Sequence, residues 1–353
     1  MTTPANLTAL VGGRVIDPAN GFDGIADVVC GDGKVLAVGS GVAATYLDAD
    51  RIDCTNLIVT PGLIDLHVHV YPGLGNFCVT PDQAGVERGV PIVVDGGTSG
   101  TATMQLALDW LDAAQPKTKV LSFMDPCVLY LATHDFICHK LEIANDTRNL
   151  DLDAAADLLE LHADRIVGFK VRACHTGDPE VSPFLEGAKS IAGDRPIMVH
   201  LGRFPHTASI TTDALLGSLR EGDIVTHAFR GASGALTIPE RLPSDGLRKA
   251  ADRGVLLDVG HSATDFRFRD ARTIIENGYR PDTISTDMNR FNIDHPVGSL
   301  AETMSKILAL GVPLVDVVAM VTTNPAAAIH RSGEYGTLDV GRSAEVSVMR
   351  MEA

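Results

Sequence analysis

Residues 62–71 read Gly-Leu-Ile-Asp-Leu-His-Val-His-Val-Tyr, a short apolar run that stops at two histidines spaced two apart. Seven more runs of the same build follow: Pro91-Ile-Val-Val-Asp, Val120-Leu-Ser-Phe-Met-Asp, Ile166-Val-Gly-Phe-Lys, Pro196-Ile-Met-Val-His, Asp223-Ile-Val-Thr-His, Gly254-Val-Leu-Leu-Asp-Val and Thr283-Ile-Ser-Thr-Asp. Their last residues, counted from His67 to Asp287, lie 28, 30, 45, 30, 27, 32 and 28 residues apart, so six of the seven intervals hold one strand and one helix each. Helical periodicity fills the gaps, as in Met104 to Ala114, Leu152 to His162 and Leu300 to Leu310. Strands buried on both faces and alternating with helices predict a parallel sheet, and eight such units over about 270 residues predict a closed (β/α)8 TIM-type barrel. A doubly wound open sheet is the rival. It favours a Gly-rich phosphate turn after the first strand, where this chain has His67-Val-His-Val-Tyr71.

Working outward, residues 10–60 carry short alternating apolar and polar stretches broken by Gly and Asp, without a helix-length pattern. After Asn324-Pro325 a helix is expected to about His330, and the chain then returns to turn-and-strand character from Gly336. The expected organisation is a small discontinuous β-sandwich domain from 1–58 and 336–353, and the barrel over 59–335.

The chain has 353 residues with 45 acidic against 29 basic side chains, and a net charge of −16 excludes a nucleic-acid binder driven by charge. Six cysteines without a Cys-x-x-Cys pair argue against a disulfide framework and against a thiolate zinc site. The opening Met1-Thr-Thr-Pro-Ala-Asn lacks a signal peptide's basic and apolar regions, and no apolar run approaches the ~18 residues of a membrane span. A soluble cytoplasmic protein with no membrane partner is expected, with a homo-oligomer left open.

Five of the eight runs finish on a potential metal ligand: His67 with His69, Lys170, His200, His227 and Asp287. In a barrel the C-terminal strand ends meet at one rim, so groups scattered over the sequence converge. Strand period puts His67 and His69 on one face, able to share an ion. A single His-x-His is usually an ordinary pair; its placement together with the other strand ends is the signal. Lys170, ending an apolar strand, must lose its charge or find an anion. Its neutral amine can take up CO2 to give a carbamate, an anionic ligand with two oxygens that can bridge two cations. The plainer alternative is a structural lysine paired with a carboxylate.

This set resembles the amidohydrolase superfamily, in its two-metal type with a carboxylated lysine. The flanking Gly168-Phe-Lys-Val-Arg172, His200-Leu-Gly202, Thr226-His-Ala-Phe-Arg-Gly231, Asp258-Val-Gly-His261, Ile284-Ser-Thr-Asp-Met288, Met304-Ser-Lys-Ile-Leu308 and Thr323-Asn-Pro-Ala326 resemble its deacetylase branch, often labelled dihydroorotase-like. The resemblance implies one divalent ion, zinc first among the options, on His67, His69, Lys170 and Asp287. A second would sit on Lys170, His200 and His227, with a hydroxide between them. It implies hydrolysis of an amide or ester of a small carboxylate-bearing molecule, with Asp287 moving the proton.

Four arginines follow strand ends on the same rim: Arg172, Arg203, Arg230 and Arg290. In so acidic a chain they point to an anionic substrate group, although each could instead pair with a local acid; Arg172 shares the face of Lys170. His261 faces the rim as a substrate contact or a support, and Tyr71 and Tyr130 could donate to a developing oxyanion. The remaining histidines, His134 and His139 among them, read as structural. Dihydroorotases and their relatives carry an arginine two residues after the His-x-His, where this chain has Tyr71. A cyclic amidase or lactonase using the same metals, and a non-catalytic scaffold of the superfamily, are the alternatives.

Overall fold

A computed structural model describes residues 6–130, 137–203, 206–231, 234–238 and 242–352. Strands β1 (Thr8–Asp17), β2 (Phe22–Gly31) and β3 (Lys34–Gly39) form an antiparallel meander. Gly21 and Gly33, both at positive φ, make its turns. On the other side of β1, β4 (Asp50–Asp53) pairs with its first half and β5 (Ile58–Pro61) with its second. The sheet divides where the β1–β2 register slips between Leu10 and Gly13. The C-terminal strand β13 (Val346–Met349) pairs antiparallel with β5, so both chain ends share one six-stranded sheet. Alternation sends Val15, Val28 and Val35 into one apolar cluster and Ala9, Val29 and Ala43 into another.

The second sheet is parallel, in strict sequence order: β6 (Ile64–Val68), β7 (Ile92–Gly96), β8 (Lys119–Met124), β9 (Ile166–Val171), β10 (Ile197–His200), β11 (Ile224–Thr226) and β12 (Leu256–Asp258). The eighth run, 283–288, is not a regular strand, yet it bridges both edges. Thr283 pairs with Asp258 on β12 and Met288 with Val68 on β6. Asp287 N donates to His67 O at 2.7 Å and His69 N to Met288 O at 2.9 Å. Its irregularity has a local cause, since Asp287 itself sits at φ +52, outside the extended region.

Helices Met104–Ala114, Leu152–Leu161, Pro183–Ala192, Thr212–Ser218, Asp245–Asp252, Phe268–Glu276 and Leu300–Leu308 separate the strands. Five of them start on a side-chain cap, Asp151, Ser182, Thr211, Ser244 or Ser299, which accepts from the backbone N–H three residues on. Among its described residues the 45-residue interval holds an extra short helix, Ile137–Lys140, and the 3-10 turns Ile143–Asn145 and Thr147–Asn149. The C-terminal helix spans Thr323–Ala328, two residues earlier than the proline suggested, and its Ala326 and Ala328 pack on Ile64, Leu66, Ile92, Val94, Phe123 and Val167. That interior layer floors the site. The apolar belt between strands and helices is the largest core cluster. No helix among the described residues is long and apolar enough to cross a membrane.

Candidate metal centre

Two register slips aim the ligands. On β6 the pairing with β7 slips by one residue between Asp65 and Val68. Ile64 and Leu66 point into the interior layer, Val68 and Val70 into the outer belt, and His67 and His69 turn to the cavity at the strand ends. A like slip between β8 and β9 leaves Val167 inside, Phe169 in the belt and Lys170 in the cavity. The cavity, of about 290 Å³, is lined by all six expected ligands.

They meet closely. Lys170 Nζ lies 2.8 Å from His67 Nε2, and Asp287 Oδ1 is 3.0 Å from His69 Nε2 and 3.4 Å from His67 Nε2. One atom each of His67, His227 and Asp287 falls within 4.8 Å of the others, a spacing that can hold an ion. His200 stacks edge-on against His227 with ring centroids 4.4 Å apart. Glycines make room for this. A Cβ on Gly96 would stand 2.1 Å from His67, one on Gly97 2.5 Å from Lys170, and one on Gly260 2.9 Å from His227 Nδ1.

The outer ring nitrogens are occupied. His67 Nδ1 is 3.0 Å from Thr226 Oγ1, His69 Nδ1 is 2.8 Å from Thr98 Oγ1, and His227 Nδ1 is 2.6 Å from Gly260 O. A carbonyl oxygen only accepts, so His227 Nδ1 carries the hydrogen and Nε2 keeps its lone pair. Burial, reinforced by Lys170 beside His67 and Arg172 near His200, keeps those two imidazoles well below the usual histidine value, hence neutral near pH 7. Burial also pulls Lys170 down to about 8 against the pull of Asp287, Asp258, Asp95 and Asp125. At Asp287 burial pushes up, but His67 and His69 outweigh it and hold the carboxyl far below its ordinary range. Neutral imidazoles, an ionised carboxylate and an amine that deprotonates within reach of neutrality are a donor set suited to divalent cations.

The other expected residues divide. Arg172, Arg203 and Arg230 line the cavity. Arg172 lies over the Tyr130 ring at 5.7 Å, with burial pulling its guanidinium down to about 10. Arg230 is engaged locally: it pairs with Asp265 at 3.1 Å and donates to His200 Nε2 at 3.3 Å and to Leu201 O. Arg290 is exposed above Phe291 and is not among the cavity's lining residues. His261 turns away, its Nε2 taking a hydrogen bond from Lys306 Nζ at 2.8 Å and its Nδ1 donating to Ser262 O. Tyr71 also leaves the cavity, because the alternation that brings His69 in sends Val70 out and the chain then turns. Its hydroxyl meets Ser122 Oγ at 2.5 Å in the belt. Tyr130 packs with Phe77, Cys78 and Ala144 beside the site. His134 lies outside the described residues, as does the His139 side chain. Asp265, one of the local acids with which a rim arginine could pair, also lines the cavity; Asn289, Phe77 and Phe291, which line it too, carried no sequence signal, since each comes from a loop without period.

Comparison with known proteins agrees with this geometry. The amidohydrolase family profile matches residues 58–351. The chain belongs to the amidohydrolase family. This amidohydrolase is 35% identical over 324 residues to the protein named Deacetylase Atu3266 of Agrobacterium fabrum, covering 91% of this chain and 77% of that one. Among solved structures it is similar to a dihydroorotase, with 33% identity and a TM-score of 0.81 over 97% of this chain and 87% of the other. It is also similar to an adenine deaminase, with 25% identity and a TM-score of 0.84 over 98% and 90%.

Proposed function

We propose that this amidohydrolase is a metal-dependent hydrolase that removes an acyl group, deacetylase-like, from the amide or ester of a small carboxylate-bearing molecule. The observation that carries the reading is the inward convergence of His67, His69, His227, Lys170 and Asp287, with each Nδ1 of the three rings engaged on the outer side. Its architecture is read as a closed (β/α)8 barrel over 59–335. The small domain is read as a β-sandwich from 1–58 and 336–353, a reading supported by the one sheet in which strands from both ends of the chain pair, with β5 crossing the boundary. Six cysteines, none in a disulfide among the described residues, support a cytoplasmic setting.

His67, His69, Lys170 and Asp287 would hold one divalent ion, zinc by preference, and Lys170, His200 and His227 a second. When bound, such a pair lowers the pKa of water toward ~7 and polarises a carbonyl oxygen. The chain's own groups do the rest. The Lys170 amine, neutral above its lowered pKa, would attack the carbon of CO2, forming an N–C bond as one C=O π bond opens onto oxygen and losing a proton to water, to give a carbamate whose oxygens would serve as metal ligands. Asp287, ionised and at the cavity wall, takes the proton from the attacking water and delivers it to the departing nitrogen or oxygen. Arg172 holds the substrate carboxylate from the cavity side. A ring substrate, a cyclic ureide or lactone, is the second reading, favoured by the likeness to a dihydroorotase structure; Tyr71, held against Ser122, supplies no cation on that side.

The test is elemental analysis of protein expressed with zinc and bicarbonate, together with hydrolysis of N-acyl amino acids, acylated hydroxy acids, lactones and cyclic ureides, in both enantiomers. Two ions per chain, a 13C-carbamate signal from labelled bicarbonate and turnover of an open-chain acyl compound are expected. Protein without bound metal, or metal-loaded protein inert on the whole panel, overturns the proposal.

A further inference from the structure

The two histidines of the His-x-His pair are backed by the same arrangement, a threonine hydroxyl and behind it a buried carboxylate. Thr226 Oγ1, which meets His67 Nδ1, donates to Asp258 Oδ2 at 2.7 Å. Thr98 Oγ1, which meets His69 Nδ1, donates to Asp95 Oδ2 at 2.8 Å. A hydroxyl has one proton. Once that proton is committed to a carboxylate, the threonine oxygen can only accept from the ring, so Nδ1 must carry a hydrogen and Nε2 is left to the cavity, where it meets Lys170 Nζ at His67 and Asp287 Oδ1 at His69.

Each carboxylate is fixed in turn. Asp258 also accepts from Ser285 Oγ at 2.6 Å and Thr283 Oγ1 at 2.8 Å, and Asp95 from the backbone N–H groups of Val70 and Thr98 at 2.9 and 2.7 Å. Thr98, Thr226, Asp95 and Asp258 are all fully buried, so bulk water does not compete. Asp258 has a second branch, because Ser285 Oγ also accepts from Gly260 N at 3.2 Å, and Gly260 O receives the His227 Nδ1 hydrogen. One carboxylate thereby steadies a ring assigned to each of the two ions.

We propose that Thr226 and Thr98 are positioning residues that hold a hydrogen on Nδ1 of His67 and His69, each relaying a buried carboxylate to the ring so that both Nε2 atoms face the cavity as the coordinating nitrogens. The consequence for metal binding rests on the metal-centre reading above; the tautomer itself does not.

The experiment compares Thr226→Val and Thr98→Val, which keep the side-chain shape, with Thr226→Ser and Thr98→Ser, which keep the hydroxyl. In metal-free protein, imidazole 15N spectra report the tautomer of each ring; competition with a chromogenic chelator reports Zn2+ affinity. The serine variants are expected to keep a hydrogen on Nδ1 of both rings and bind zinc within about threefold of wild type, and the valine variants to lose the Nδ1 hydrogen at the affected ring and bind roughly 10–100-fold more weakly. Valine variants with the wild-type tautomer, or serine variants that fall as far as the valine ones, overturn the proposal. Wild-type protein that takes up no zinc would sink the metal-centre reading instead, and the 15N spectra alone would then decide the relay.

Discussion

Gly96→Ala tests whether the His67 ring is held where the site needs it. Gly96 ends β7 with an ordinary backbone conformation, so alanine introduces no φ strain there and the effect is purely steric. Its Cβ would stand 2.1 Å from His67 Cδ2 and 2.5 Å from Nε2, well inside the 3.4 Å at which ordinary contact begins. The ring must retreat by about 1.3 Å, and it is boxed in by Thr226 behind and Lys170 in front. Overpacking of this kind costs about 1–3 kcal/mol, which for a chain of this size lowers Tm by about 1–4 °C. The functional loss is larger, because a displacement of about 1 Å in a reacting constellation costs roughly 100-fold. Gly217→Ala, near the end of helix Thr212–Ser218 with open space around its Cβ, is the control and should leave Tm unchanged or slightly raised. Calorimetry with zinc uptake and kcat/KM on the best acyl substrate reads both effects. A Gly96→Ala protein that keeps its activity within about threefold would refute the claim that His67 occupies a fixed ligand position.

Three further outcomes are expected. Asp287→Asn should fold, since asparagine tolerates the left-handed backbone at φ +52, while kcat drops by roughly 10²–10⁴-fold; activity within tenfold of wild type removes Asp287 from proton transfer. Arg172→Met should raise KM selectively for carboxylate-bearing substrates, and an equal loss on uncharged esters counts against an anion contact. With Lys170 at about 8 instead of the usual value near 10.4, about a tenth of its amine is neutral at pH 7. Bicarbonate-dependent reactivation of stripped enzyme, at fixed dissolved CO2, should therefore rise about tenfold from pH 6 to 7 and level off above about 8. A flat profile would exclude the neutral amine as the reactant.

The features legible in the sequence were those with a period. Strand runs ending at His67, Lys170, His200 and His227 fall within one residue of the observed strand ends, because a buried parallel strand must be apolar along its whole length. Helix Met104–Ala114 matches the expected span, whereas the stretch expected to reach Leu310 stops at Leu308, where the chain turns toward Gly311 at φ +87. The positions missed are set by contacts between distant segments. Nothing about Thr98 or Asp95 alone shows that they stand behind His69, and Tyr71 has the same local pattern as a residue that would enter the cavity. The register slips on β6 and β9 leave no mark in composition, yet without them an interior layer built on Ile64 and Leu66 would be continued by Val68 and Val70.

Strain follows the same division. His227 at φ +70 and Asp287 at φ +52 both occupy the left-handed region, at a cost of about 1–2 kcal/mol each for a residue with a Cβ. A backbone held there reverts unless its surroundings over-determine it. Around Asp287 they do: Asp65, fully buried, accepts from Thr286 N at 3.0 Å and Thr286 Oγ1 at 2.6 Å, and the Asp287 carbonyl accepts from the Asn289 and Asn292 side chains. Around His227, the ring is pinned by Gly260 O and the next N–H, of Ala228, donates to Asp258 O at 3.1 Å. The eighth run thus gives up regular strand geometry to present a carboxylate. Burying Asp65 and Asp258 beneath the rim is what keeps that conformation in place, so these two carboxylates belong to the site as much as to the fold.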